Sequence, residues 1–360
     1  MNISSVDTYY LVKELHAALE SSRVDQIYQY DVDEFLIRFH KPGAGKVELY
    51  IRVPQAIYMI SKRPTSAEKP QHFQAYLRKT IKGMIVSSIT QLGFNRVISI
   101  NLQIKDVKLS LIMELFDKGA LFVAKAVDDK YEIVLPNKVQ RWANRTIQKG
   151  SIYTIPESPF PQDVNIADIF EKEKNTIISK CLATAFGLGG FYAKIVCSRL
   201  GYDPSTPVNA VDAKKLQKEL QALFSHPIAA HLLSDRVVSF NIDGSEPIPT
   251  LSAGYDALLT EGIVSRTQLA KQSVHDKKIA KLQAIVDTQT GSVQKLKDNI
   301  IAYRELGEAI YANQHILEPI IGTFREEKKK HPDKELQKKL SDLNIDSYDA
   351  KEKTIAVTLK

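Results

Sequence analysis

The spacing of apolar residues changes several times along the chain. Residues 7–19 carry Tyr10, Leu11, Leu15, Ala18 and Leu19 at helical intervals, which predicts a helix with one buried face. Ser4 or Ser5 stands where an N-cap belongs, and Asp7 falls in the first turn, where a carboxylate suits the helix dipole. The period then drops to two. Alternating runs at 24–30, 34–40, 47–53 and 56–61 predict strands, with Lys41-Pro42-Gly43-Ala44-Gly45 as a hairpin turn. Residues 71–82 return to helical spacing, with Phe73, Leu77 and Ile81 on one face and Arg78, Lys79 and Lys82 on the other. Gly83 breaks this helix, an apolar run follows, and Gly93 precedes a strand that opens on Asn95-Arg96. Alternation resumes at 97–104, 108–116, 121–126 and 131–135, so residues 1–135 read as an α+β arrangement.

Beyond this point the pattern is mostly helical. SIYTIPESPFP, residues 151–161, holds three prolines and reads as an extended linker. Helical spacing covers 166–172, 175–186, 190–200 and 211–224, and Phe186-Gly187-Leu188-Gly189-Gly190 lies between the second and third of these. A GxG turn joining two short helices lets backbone N–H groups approach a phosphate at the following helix N-terminus. A strand at 237–242 and a short helix at 255–259 follow. From about residue 274 a long helix carries a heptad seam through Ile279, Leu282, Val286, Val293, Leu296, Ile300 and Ile310. Such a seam needs a partner helix, and no matching pattern follows it, so a shortened chain is the expectation. A short helix at 335–343 and a strand at 354–359 close the chain. Three regions are therefore expected: 1–160, 161–265 and 266–360.

The formal net charge of +7 is modest, so clustering matters more than the total. One cluster is Lys138, Arg141, Arg145 and Lys149 around Trp142, the only tryptophan; it could stack on a base, or the indole could be a packing anchor. Lys194 and Arg199 add basic character beside the glycine turn. Cys181 and Cys197 form no CxxC, and the eight histidines lack ligand spacing, so neither a metal nor another cofactor is expected. Two cysteines in a chain of this length point to a reducing cytosol. MNISSVD has neither the basic nor the apolar region of a signal peptide, and no apolar run is long enough to span a membrane. Nucleotide-binding, serine-hydrolase and zinc-protease motifs are absent. Asp7, Asn95 and Arg96 are the polar residues whose placement looks deliberate.

Four stretches in order resemble one family: the SSVD opening, FQAYLRKTIKGMIVSSITQLGFNRVISI, RTIQKGSIYTIPESP, and FGLGGFYAKIVCSRLGYDP. They look like the corresponding segments of the NFACT family, the NEMF- and RqcH-like ribosome-quality-control proteins. The resemblance implies an N-terminal α+β module with a formamidopyrimidine-DNA-glycosylase-like fold, a helix-hairpin-helix, and the start of a long coiled-coil arm. It implies a cytoplasmic, non-enzymatic factor with no membrane association. Its partners would be the large ribosomal subunit obstructed by peptidyl-tRNA and recruited tRNA, with alanyl-tRNA a candidate, in template-free C-terminal tailing of stalled chains. The family's opening Asp falls on Asp7, and its Asp-Arg pair falls on Asn95 and Arg96. Replacing that acid by Asn95 removes a charge and adds an amide donor, which puts tailing in question more than binding. Arg78, Lys79, Lys82, Arg141, Arg145, Gly187, Gly189 and Lys194 are the expected contacts to RNA backbone. The coiled coil's return helix and the family's C-terminal RNA-binding domain are missing. Two other classes remain. The glycosylase-like fold would allow a DNA-processing enzyme or a nucleic-acid-binding module without tailing, although Asn2 stands where glycosylases of that fold use proline. A fibronectin-binding adhesin is the other, and the N-terminus argues against it.

Overall fold

The computed structural model describes residues 3–64, 72–128, 130–142, 145–156, 158–234, 236–336 and 338–358. Helix α1 (Ser5–Leu19) is followed by strands β1 (Arg23–Asp31), β2 (Glu34–Lys41), β3 (Gly45–Arg52) and β4 (Ala56–Met59). Helix α2 (His72–Thr80) leads to β5 (Ile85–Gln91), β6 (Val97–Ile104), β7 (Val107–Glu114), β8 (Ala120–Val127) and β9 (Lys130–Pro136). The short strands β10 (Gln140–Arg141), β11 (Thr146–Ile147) and β12 (Ile152–Tyr153) come next. Helices α3 (Ile166–Lys172), α4 (Ile178–Thr184), α5 (Gly189–Leu200) and α6 (Ala213–Ser225) precede the small strands β13 (His231–Leu233), β14 (Arg236–Val238) and β15 (Glu246–Pro247). Helix α7 (Leu251–Ala312) leads to α8 (Gln314–Lys330), α9 (Asp333–Leu336) and the hairpin β16 (Ser347–Asp349) and β17 (Thr354–Ala356).

Among the described residues, ten strands form one sheet in the order β12-β9-β8-β7-β6-β5-β1-β2-β3-β4. The two sets of strands expected from the pattern are both present, in register as hairpins. They meet at a short seam where β1 pairs with β5 around Arg23 and Ile85, with backbone hydrogen bonds from Val24 to Met84 and from Val86 to Ser22, both at 2.9 Å. β6, β7 and β8 read as nearly continuous apolar runs because both faces are covered. Ile98, Ile100, Leu111, Met113 and Val123 enter the main core. Val97, Ile112, Phe122 and Ala124 turn to a second core with Ile133, Ile147 and Tyr153. The expected linker contributes an edge strand, β12, beside β9.

Two compact units are present, Met1–Lys271 and Gln272–Lys360. The strands and the helical segment, expected as separate regions 1–160 and 161–265, share one core that runs from Ile3 to Tyr255. Aromatic rings supply the joint. Phe94, just after the Gly93 turn, meets Phe160 at 5.7 Å and Phe224 of α6 at 5.3 Å between ring centroids. The Tyr9 hydroxyl donates to the Phe224 carbonyl at 3.0 Å, and the Tyr10 hydroxyl donates to that of Leu223. The helices expected at 255–259 and from 274 are one continuous helix, α7. The Glu14 carboxylate accepts from the Leu251 and Ser252 backbone N–H groups at its start, at 2.6 and 2.8 Å.

In the second unit, Phe324, Leu336, Ile345 and Tyr348 make a small core under the β16–β17 hairpin. The heptad seam of α7 is exposed at Ile279, Leu282, Val286, Val293, Leu296, Ile300 and Ile310. Among the described residues, no helix is long and apolar enough to cross a membrane.

Candidate functional site

The start of α1 is built around Asp7. The Ser4 hydroxyl accepts from the Asp7 N–H at 3.1 Å, and the Ser4 N–H and hydroxyl both donate to Asp7 Oδ2 at 2.8 Å. This reciprocal capping satisfies N–H groups that a helix start otherwise leaves open. The Tyr192 hydroxyl of α5 donates to Asp7 Oδ1, and Arg236 Nη1 at the mouth of β14 lies 3.8 Å from Oδ2. Asp7 is only 3 % exposed, so both of its oxygens are spoken for inside the protein. Burial pushes its carboxyl above the ordinary carboxylate range, against the pull of Tyr192, Ser4 and Arg236. Burial and then the Asp7 carboxylate raise the Tyr192 hydroxyl well above its usual value. Asp7 thus ties three elements together at the edge of a cavity.

That cavity, of about 350 Å³, is lined by Ser4, Arg96, Gly189, Gly190, Phe191 and Arg236, among others. The turn from α4 to α5 needs its glycines. Gly187 and Gly189 have φ of +67° and +75°, which residues with a Cβ adopt only under strain. Gly187 also lies against the Phe94 ring, where an added Cβ would sit 3.3 Å from Cδ1. A Cβ at Gly189 or Gly190 would meet nothing within 4 Å, so the backbone here faces open space. No side chain caps α5, and its first N–H groups carry the positive end of the helix dipole.

Two guanidinium groups reinforce that polarity. Arg236 lies 4.4 Å from the Phe191 ring centroid, and Arg96 lies 5.9 Å from that of Phe116. Arg96 makes no ion pair among the described residues. Burial pushes its guanidinium below the ordinary arginine range, the mark of a cation held without full hydration or a counter-ion. The neighbouring anion, Asp7, is engaged from three sides. Such an arrangement favours an anionic ligand with several oxygens.

The structure therefore brings Asp7, Arg96, Gly187 and Gly189 together, and separates the other expected residues from them. Asn95 does not line the cavity. Its Nδ2 donates to the Pro156 carbonyl at 2.7 Å, while Gln91 Nε2 donates to the Asn95 carbonyl at 2.7 Å and to that of Ser5 at 3.0 Å. The linker is thereby held against Gly93, where a Cβ would come within 3.1 Å of the Ser158 carbonyl oxygen. An ionised Asp at position 95 has no proton to give Pro156, so the amide has its own structural use here. Arg78 Nε donates to the Ile27 carbonyl at 2.9 Å and its guanidinium lies over Tyr28. Lys79 is exposed on α2, and Lys82 lines a different cavity with Arg23, His40 and Gly83. Arg145 grips the fully buried Glu114 with two nitrogens, at 2.6 and 3.1 Å. Arg141 and Lys194 are exposed, on β10 and α5.

Pattern reading missed Arg236 and Tyr192. Arg236 carried the same signal as Arg96, an arginine directly before a strand-like run. Among the described residues no group of three or more His, Cys, Asp or Glu could hold a metal ion.

A family model described as NFACT N-terminal and middle domains matches residues 4–246. The Archaeal Rqc2 homolog aRqcH of Methanocaldococcus jannaschii is 25% identical over 363 aligned positions, covering 91% of this chain and 52% of that protein. The human Ribosome quality control complex subunit NEMF is 28% identical over 134 residues, 37% of this chain and 12% of that protein. The chain spans about half the length of the first of these relatives, and far less of the second. Among solved structures, the N-terminal part of the fibronectin/fibrinogen-binding protein from Streptococcus suis superposes with a TM-score of 0.60 at 21% identity. It covers 72% of this chain and 100% of that one. At that identity the likeness shows the fold alone. The chain belongs to the NFACT family.

Proposed function

We propose that this chain acts in ribosome-associated quality control, as an RNA-binding factor that engages the large ribosomal subunit obstructed by peptidyl-tRNA and recruits tRNA. The observation that carries the reading is the cavity at the glycine turn. There an uncapped helix start, Arg96 without an ion pair among the described residues, and the stacked Arg236 converge on one anion-sized space, in a chain whose curated relatives are named for ribosome quality control. Phosphate oxygens would accept from the Gly190 and Phe191 N–H groups and from both guanidiniums. No bond-making or bond-breaking step is assigned to these residues; the role is to hold and orient RNA in the cytoplasm. Asp7 takes part as a positioning residue, by holding α1, Tyr192 and Arg236 in place around the cavity. Template-free tailing, if this chain supports it, proceeds with Asn95 holding the linker where the family places an acid.

The test is co-sedimentation of the chain with purified large subunits carrying peptidyl-tRNA, followed by sequencing of the bound tRNA. Wild type is expected to co-sediment and to release with rising salt, because phosphate contacts displace counter-ions. Arg96→Ala should weaken tRNA recovery with little change in thermal melting; Arg236→Ala should weaken it as well, with some loss of melting temperature because the buried Asp7 loses its neighbouring cation. Unchanged recovery in both folded variants defeats the assignment, and capture by immobilised fibronectin in place of ribosomes would support the adhesin reading instead.

A further inference from the structure

A second cavity, of about 880 Å³, adjoins the first and is lined by Phe116, Trp142, Arg145, Ser151, Tyr153 and Thr154, among others. We propose that this groove is a nucleobase subsite for single-stranded RNA whose phosphates are held at Arg96 in the neighbouring cavity; the inference rests on the RNA-binding reading above.

Trp142 is held as a ready-made stacking surface. Its indole N–H donates to Asp117 Oδ2 at 2.8 Å, and the Arg145 guanidinium lies 4.3 Å from its ring centroid. Arg145 is itself immobilised by its two bonds to Glu114, and the Tyr153 hydroxyl holds the same carboxylate at 2.9 Å. An aromatic ring ordered in advance loses little freedom when a base stacks on it. Ring and guanidinium planes then continue toward the first cavity. Arg145 lies 5.4 Å from the Phe116 centroid and Arg96 lies 5.9 Å from it. The row Trp142, Arg145, Phe116, Arg96 thus connects the aromatic groove to the cationic cavity.

Charge decides which part of a nucleotide each cavity takes. In the groove, Glu114 already neutralises Arg145, and the Asp117 carboxylate stands at the indole. A phosphate gains little there, whereas a flat, neutral base gains ring surface and meets hydroxyls of Ser151, Thr146 and Thr154 at its edges. In the first cavity Arg96 has no counter-ion among the described residues, which suits the phosphate. A peptide strand added to β12 is the competing occupant. That edge is two residues long, which offers few backbone bonds to a added strand.

Trp142 is the only tryptophan, so its fluorescence reports on the groove directly. The full chain is titrated with a ten-nucleotide single-stranded adenosine RNA and with an abasic ribose-phosphate oligomer of the same length. The RNA should quench Trp142 and the abasic oligomer should not, while both bind in a salt-dependent way that Arg96→Ala weakens. Followed by the anisotropy of labelled RNA, Trp142→Ala should bind on the order of tenfold more weakly and no longer distinguish the two oligomers, with Trp142→Phe restoring most of the affinity. Melting curves show whether each variant is folded. If the oligomers bind equally to wild type and Trp142→Phe and Trp142→Ala leave affinity unchanged, the base subsite is wrong while the phosphate site stands. If neither oligomer binds, both proposals fall. If a ten-residue extended peptide quenches Trp142 and displaces the RNA, the groove is a peptide site and the proposal is overturned.

Discussion

The two cavities are linked through Phe116, which lines the groove and lies 5.9 Å from Arg96 of the first cavity, and they treat arginine in opposite ways. Arg145, near Phe116, is closed onto a fully buried carboxylate, whereas Arg96, also near Phe116, has none among the described residues. Arg78 on α2 resembles Arg145 more than Arg96, since it is bound to a backbone carbonyl and rests on a tyrosine. A basic residue in the sequence is thus a formal charge only. Whether it can meet an RNA phosphate depends on whether the fold has already supplied its partner. That is why the strongest run of positive charge by pattern, on α2, does not line the cavity where Arg96 sits without an ion pair among the described residues.

The sharpest way to break this contrast is Glu114→Ala. It removes one partner of a buried ion pair and the acceptor of Tyr153, so stability should fall by about 3–5 kcal/mol, read from urea unfolding. Glu114→Gln keeps the shape and releases the Arg145 charge. It should destabilise less and should draw phosphate into the groove, so that the abasic oligomer now binds there and Trp142 fluorescence responds to it.

Arg96→Ala tests the other side. Removing a cation that makes no ion pair among the described residues should leave melting nearly unchanged. RNA affinity should drop by about 1.4 kcal/mol, roughly tenfold, and the salt slope should fall by about one. A large loss of stability without a change in salt slope would place Arg96 with Arg145 as a structural arginine.

Gly190→Asp separates stability from binding. The position is open and lies in the first turn of α5, where a carboxylate should stabilise the helix dipole by about 0.3–1 kcal/mol. The same charge should repel phosphate and weaken RNA binding. A variant that melts no lower and yet binds RNA like wild type would show that the helix start is not part of the site.

Asp7 offers a smaller, pH-dependent effect. Its ordinary value is 3.8 and burial raises it in the folded chain, so the folded state holds the proton longer than the unfolded one. The stability it contributes is full below pH 3.8 and is lost as the pH rises through the raised folded value. Thermal melting of wild type against Asp7→Asn across pH 3 to 7 should show a steeper loss in wild type, since among the described carboxyls only the raised Glu114 contributes this slope in the variant. Smallest of all, Lys79→Ala on the exposed face of α2 should leave both melting and RNA binding unchanged.

The hairpins, the capped first helix, the glycine turn between α4 and α5 and the apolar seam of α7 were all legible from residue spacing. Each depends on contacts within a few residues or on one repeating period. Arg96 was legible too, because an arginine at a strand mouth after Gly93 is a local pattern. Its twin Arg236 went unread in a short strand with little periodicity around it. The union of strands and helices in one core was not legible, since it rests on pairs such as Phe94 with Phe224, far apart in sequence.

The sequence by itself therefore determined which segments become strands and helices, where the chain turns, and that basic and glycine residues stand near one another in order. Only the tertiary structure decided that Asp7 is enclosed by Tyr192 and Arg236, that Asn95 faces the linker, and that, among the described residues, Arg145 is neutralised while Arg96 is not. The physical reason is that secondary structure follows from short-range sterics and periodic burial. The availability of a charge depends on its desolvation and on a partner brought in from elsewhere in the chain, and no local pattern contains that information.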